Sequence, residues 1–168
     1  MRTNLHAIAM SIVLASLGLG SIAAAEDCSP LGTWLAVKPG THELAGFLST
    51  STGQSNNQGT LVVENPGFGA AFGGLFPGAV DGSVDRGVWE RTGGRTFRYS
   101  LVGTAVDSSG VIIWIRKFYG TITLIDNCET EKITAVMAVY QGTGDPFEGA
   151  PLFEVDLGDL YARRLTLP

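Results

Sequence analysis

Between Ser83 and Gln141 the chain reads as runs of apolar and polar residues in alternation, punctuated by short polar turns. Ser83 to Thr92 predicts a strand that stops at Thr92-Gly93-Gly94, a turn signal. Arg95 to Asp107 follows, with Phe97, Tyr99 and Leu101 on one face because strand side chains alternate. Asp107-Ser108-Ser109-Gly110 is the next turn. Val111 to Asp126 is a long run of Val, Ile, Thr, Trp and Tyr, the residues that suit a pleated surface. Asn127-Cys128 turns it back into Thr130 to Gln141. Connections this short close antiparallel hairpins and cannot span a parallel crossover.

The flanks extend the pattern. Gly32 to Val37 and His42 to Ser49 form an opening hairpin around Lys38-Pro39-Gly40-Thr41, and Gly59 to Glu64 is a third short strand. Leu160 to Leu167 closes the set after a Pro-, Gly- and Asp-rich stretch from Gly142 to Gly158. The expected fold is all-β, an antiparallel up-and-down barrel of about eight strands with no substantial helix. Val111 to Asp126 would rise on the order of 50 Å if straight, which a small flat sheet cannot hold. A strand coiling around a barrel can, with Gly120 as its bend. Two segments break the alternation. Gly53 to Gly59 is a polar loop. Asn65 to Asp81 sets Phe68, Phe72 and Phe76 among glycines, as a lid over a cavity or an Ω-like loop packing its own rings over a barrel end.

The first 25 residues have another texture. Arg2 is a basic start, Ala7 to Ala24 carries no charge, and Ala23-Ala24-Ala25 supplies small residues for a peptidase. This predicts a signal peptide over residues 1–25 and one β-barrel domain over 26–168, secreted or periplasmic. A retained anchor is the competing reading, weakened by a length near the lower limit for a span. No later apolar run reaches spanning length. Export gives the cysteines meaning: an oxidising compartment favours a Cys28–Cys128 disulfide over two free thiols.

Composition narrows the function classes. At 45% hydrophobic the chain is too apolar for disorder. A net charge of −5 lacks the basic excess that nucleic acid requires. Glycine, at 23 of 168 residues, is about twice its usual share and falls at turns, strand bends and the aromatic loop. Structural zinc needs about four ligands, and beyond the leader His42, a hairpin residue, is the one histidine, so no metal or cofactor is expected. There is no Gly-x-Ser-x-Gly nucleophile elbow, no phosphate-cradling loop followed by lysine and helix, and no Asp-x-Asp calcium loop.

What stands out is a charge in an apolar row. Ile112, Trp114, Arg116, Phe118, Ile122 and Leu124 share one strand face. If it faces inward, Arg116 needs a carboxylate partner, for which Glu90 is the candidate. Arg116 would then anchor a ligand carboxylate, enolate or carbonyl, with Tyr99 and Tyr140 as hydroxyl donors. If it faces outward, Arg116 sits near a rim or in water, and Ile113, Ile115 and Tyr119 point inward. Both faces are apolar, so alternation does not choose.

Gly32-Thr33-Trp34 resembles the Gly-x-Trp signature that opens the first strand of lipocalins and their calycin relatives. Tyr161-Ala162-Arg163-Arg164-Leu165 resembles the last-strand arginine that packs across that tryptophan. The resemblance covers both ends of the chain and the meander. It implies a calycin-like barrel whose arginine lies on the indole face and holds backbone carbonyls. The helix that precedes the last lipocalin strand is not evident between Gln141 and Gly158; avidin-like and allene-oxide-cyclase-like barrels lack it too.

Three functions fit. The first is a secreted module that binds a small apolar molecule among Phe97, Tyr99, Trp114, Arg116, Phe118, Met137, Tyr140, Phe72 and Phe76. The second is a barrel-type cyclase or isomerase with Arg116, Tyr99 and Glu90 as its catalytic candidates. The third is a filled structural barrel whose aromatic loop makes a homo-oligomer contact. The volume left inside the barrel separates the first two from the third.

Overall fold

A computed structural model describes residues 28–40, 43–53, 55–64 and 74–166. The expected leader, His42, Phe68 and Phe72 lie outside the described residues. Among the described residues there are nine strands: β1 (Gly32–Val37), β2 (Leu44–Thr52), β3 (Gln58–Glu64), β4 (Asp81–Gly82), β5 (Asp85–Gly93), β6 (Thr96–Val106), β7 (Ile112–Ile125), β8 (Thr130–Gln141) and β9 (Phe153–Arg164). All neighbouring pairs are antiparallel. The order β6-β5-β3-β2-β1-β9-β8-β7 closes on itself because β7 also pairs with β6. Two-residue β4 pairs with β6 beyond the end of β5, so β4 and β5 together make one stave of an eight-staved barrel. Among the described residues the single helical segment is a 3-10 turn, Asp126–Cys128.

The expected meander is therefore present, with β7 as its longest strand. The closing strand differs: β9 begins at Phe153, not Leu160. Phe153, Val155 and Leu157 alternate with Glu154 and Asp156, but Gly158 interrupts the period. The ladder slips there, with Thr134 opposite Asp159 and Val136 opposite Asp156. Gly158 has φ +68, and its N–H is held by Asp156 Oδ1 at 2.8 Å. This extra residue resets the phase, so that Leu157 and Leu160, three apart, both reach the core.

The barrel is packed by opposing large residues to glycines across the ladders. Gly59 faces Trp89, Gly87 faces Leu101, Gly120 faces Tyr99 and Gly103 faces Arg116. Each bulky member is buried. Alternating small and large inward positions fill most of the interior of a small barrel. The glycine excess thus has an interior component besides its turns. At Gly120 a Cβ would strike the Thr134 carbonyl oxygen, which is why β7 can coil tightly against β8 only with glycine there.

The ends are built differently. At one, the expected disulfide Cys28–Cys128 joins residues 100 apart, with Cα atoms at 5.6 Å. Trp34 Nε1 donates to the Pro30 carbonyl at 2.8 Å, and the Arg164 guanidinium carbon lies 4.4 Å from the Trp34 ring centre. Arg91 reaches the Cys28 carbonyl at 2.7 Å and stacks over Phe97. At the other end Phe76 is fully buried against the core, and Trp114 Nε1 donates to the Pro77 carbonyl at 3.0 Å. The last part of the aromatic loop therefore inserts a ring into the barrel.

Candidate functional site

The period of β7 now has a direction. Arg116, Phe118, Ile122 and Leu124 are buried, and Ile113, Ile115 and Tyr119 lie on the other face. Arg116 is 1% exposed. Its Nε donates to Asp85 Oδ1 at 2.8 Å, Nη1 to the Thr104 carbonyl at 3.0 Å and Nη2 to the Ser83 carbonyl at 2.6 Å. The carboxylate partner is thus Asp85, not Glu90. Alternation along β5 explains the correction: Asp85, Gly87 and Trp89 point inward, and Glu90 points outward, where it pairs with Arg98. Burial pushes the Asp85 carboxyl up to about 6, against the pull of the Arg116 guanidinium.

A second acid is buried at the start of β8. Glu131 is 2% exposed and shares the inward face with Ile133, Ala135, Met137 and Val139. Its Oε1 has no hydrogen-bond partner. Burial raises its carboxyl to about 8, and the positive charge of Arg164 opposes that rise only in part. Tyr99, on β6, donates its phenol to the Thr134 carbonyl at 3.2 Å. Burial first, and the nearby Glu131 second, hold that phenol well above its usual range.

The two acids line one cavity of about 100 Å³ in the barrel interior, partly open to solvent. Its walls are mostly apolar: Phe47, Leu61, Val63, Leu101, Phe118, Ile122, Ile133, Ala135, Leu157 and Leu160. Ser49, Asp85, Tyr99 and Glu131 supply the polar groups. Ser49 Oγ, like Glu131 Oε1, is buried and without a partner. Buried polar atoms are nearly always satisfied, so Ser49 Oγ and Glu131 Oε1 are exceptions that fall together on one apolar cavity. Ser51 Oγ and Trp89 Nε1 are also unpartnered, but neither residue lines this cavity.

A larger concavity, about 940 Å³, lies on the outside of the barrel over β3, β5 and β6. It is open to solvent, and its charged residues, Glu90 and Arg98, pair with each other. No polar side chain there is buried without a partner except the Trp89 indole at its floor. The internal cavity, with its apolar walls and unpartnered acid, is the stronger candidate.

Of the residues expected to meet a ligand, Tyr99 and Phe118 line the cavity. Arg116 touches it through Asp85. Phe97 packs edge-on against Trp89, with ring centres 5.5 Å apart, and Met137 fills the core. Phe76 plugs an end, and Trp114 is half-buried beneath Pro77. Tyr140 lies opposite in phase to Met137 and Val139, on the outer face of β8. Asp85, Glu131 and Ser49 were not among the expected residues. Glu131 was legible as an inward position from its period with Ile133 and Met137, but its place beside the Asp126–Glu129 turn reads as solvent-facing. Among the described residues, no three His, Cys, Asp or Glu side chains converge on a metal-sized point.

The fold and cavity define an antiparallel β-barrel with a small, largely apolar interior site. No protein-family model matches the chain, and no curated protein is significantly similar to it in sequence.

Proposed function

We propose that the barrel binds a small molecule in its interior, and that it does so outside the cytoplasm. The observation that carries this reading is the 100 Å³ apolar cavity lined by Glu131, with one buried carboxyl oxygen unpartnered, and by Ser49, with an unpartnered hydroxyl. An apolar cavity of about 150 Å³ is large enough for benzene, so the guest here has a handful of heavy atoms. The stacking of Arg164 on Trp34 supports kinship with calycin barrels. The 100-residue disulfide loop and the leader-like first 25 residues support export. Among the described residues no helix is long and apolar enough to cross a membrane.

A second reading, a proton-transferring isomerase on the same site, is favoured by one feature. Glu131 titrates near neutrality inside an apolar cavity, the environment that suits a general acid or base. Arg116 is fully engaged by Asp85 and two carbonyls, so it does not serve as the anchor in either reading.

The test is to screen molecules of four to six heavy atoms against the purified protein by amide NMR, and to extract natively purified protein for mass spectrometry. Shifts centred on Ser49, Tyr99, Glu131 and Ala135 are expected. If no lining residue responds to any compound and nothing is extracted, the interior is structural filling. Chemical turnover of a bound compound, lost in Glu131→Gln, would move the protein to the isomerase class.

A further inference from the structure

We infer that the guest is a small uncharged carbonyl compound whose oxygen accepts a hydrogen bond from the Glu131 carboxyl. This rests on the interior-binding reading above and adds the ligand's chemistry to it. Three ligand classes could occupy an apolar cavity beside an acid: a hydrocarbon, an amine that pairs with the carboxylate, or an acceptor that takes the carboxyl proton. A hydrocarbon leaves Glu131 Oε1 and Ser49 Oγ unpartnered, and a buried polar atom without a partner keeps its desolvation penalty. An amine requires an ionised carboxylate, and the surroundings of Glu131 oppose that form.

Those surroundings can be named wall by wall. β2 and β3 contribute Phe47, Ser49, Leu61 and Val63, and β7 contributes Phe118 and Ile122, none of them charged. β6 contributes Tyr99, whose phenol is spent on the Thr134 carbonyl. β5 contributes Asp85, already neutralised by Arg116. From β9, Arg164 is, among the described residues, the one cation whose charge reaches Glu131, and its guanidinium is engaged by the Ser29, Leu31 and Cys128 carbonyls. The balance leaves the carboxyl protonated at neutral pH. A protonated carboxyl is a donor, and a neutral acid kept in an apolar pocket is suited to hold a carbonyl oxygen. Ser49, whose hydroxyl is free on the same cavity, is the second donor available to that oxygen.

Three probes of equal size separate the classes: butanone, 2-methylbut-1-ene, which replaces the carbonyl oxygen by carbon, and sec-butylamine. Each is titrated at pH 7 and pH 9.5 into the wild-type protein and Glu131→Gln, following the Ser49, Tyr99 and Ala135 amides. Butanone is expected to bind several-fold tighter than the alkene at pH 7 and to weaken at least tenfold at pH 9.5. In Glu131→Gln, whose amide still donates, butanone binding is expected to persist and lose its pH dependence. Equal binding of butanone and the alkene, or an amine that binds best and tightens with pH, overturns the carbonyl inference while leaving interior binding intact. A pH dependence unchanged in Glu131→Gln also overturns it. Failure of all three probes to shift any lining residue overturns the interior-binding reading itself.

Discussion

The guanidinium of Arg164 lies 4.4 Å from the ring centre of Trp34 and in the same pose donates to the Ser29 and Leu31 carbonyls at 2.7 and 2.8 Å. One side chain of the last strand therefore fastens the first strand and the segment leading into it. A planar guanidinium does this through its fork of donors; an ammonium cannot. Arg164→Ala is expected to cost about 2–4 kcal/mol, combining a partly desolvated cation–π contact with the loss of charge-assisted hydrogen bonds. Arg164→Lys should recover less than half of that. Urea denaturation of both variants reads the difference, and equal stability of the lysine variant and the wild type would show that charge alone matters.

The Asp85–Arg116 pair at the other end gives a sharper expectation. Both side chains are almost completely buried. Removing one partner strands the other as an uncompensated charge, which costs about 3–5 kcal/mol. Asp85→Leu and Arg116→Met should each be strongly destabilising, yet the double variant should lose much less than the sum. Gly103→Ala acts on the same pair, because its Cβ would run into Asp85 Oδ1. Additive losses in the double variant would mean that the two groups are not coupled.

The disulfide closes a loop of 100 residues. In the chain-entropy model a loop of this size restrains the unfolded chain by about 4–5 kcal/mol. Cys28→Ser combined with Cys128→Ser is therefore expected to lower the midpoint of thermal unfolding by 10 °C or more, given roughly 2–8 °C per kcal/mol for domains near this size. Adding a reductant should bring the wild type to the same midpoint. A double variant as stable as the oxidised protein would leave the cross-link without a stabilising role.

Much of this architecture was legible from alternation. The meander from β5 to β8 could be read because turn residues and period two agree over nearly sixty positions, and the single cysteine pairing follows from the count of two. The start of β9 is hidden because Gly158 breaks the period at a bulge, and a bulge in sequence looks like a loop. The site was less legible. Trp114, Arg116 and Phe118 stood out by residue type, but type does not say which face of a doubly apolar strand turns inward. That depends on its partners, and above all on Gly103, which makes room for Arg116 and Asp85. An acid beside a turn is usually solvated, so sequence alone does not mark Glu131; only closure of the barrel by β9 and Arg164 buries it.

Burial of Glu131 sets a pH dependence with a definite sign. Its carboxyl titrates at about 8 in the barrel, against 4.5 ordinarily. Between those values the folded state binds the extra proton, so stability falls as pH rises. Below about 4.5 both states are protonated and the group contributes nothing; above about 8 the full penalty, of order a few kcal/mol, is present. Asp85, raised from 3.8 to about 6, adds a loss of the same sign that is complete by the time Glu131 begins to dominate. The wild type should therefore lose stability steadily from pH 5.5 to pH 8.5. Glu131→Gln, which cannot ionise, should match or fall slightly below it at pH 5.5 and exceed it at pH 8.5. Urea unfolding at the two pH values measures the crossing, and parallel profiles would mean that Glu131 is ionised in the folded barrel. That result would also remove the proton from which a carbonyl guest is held, so stability and ligand chemistry stand on one titration.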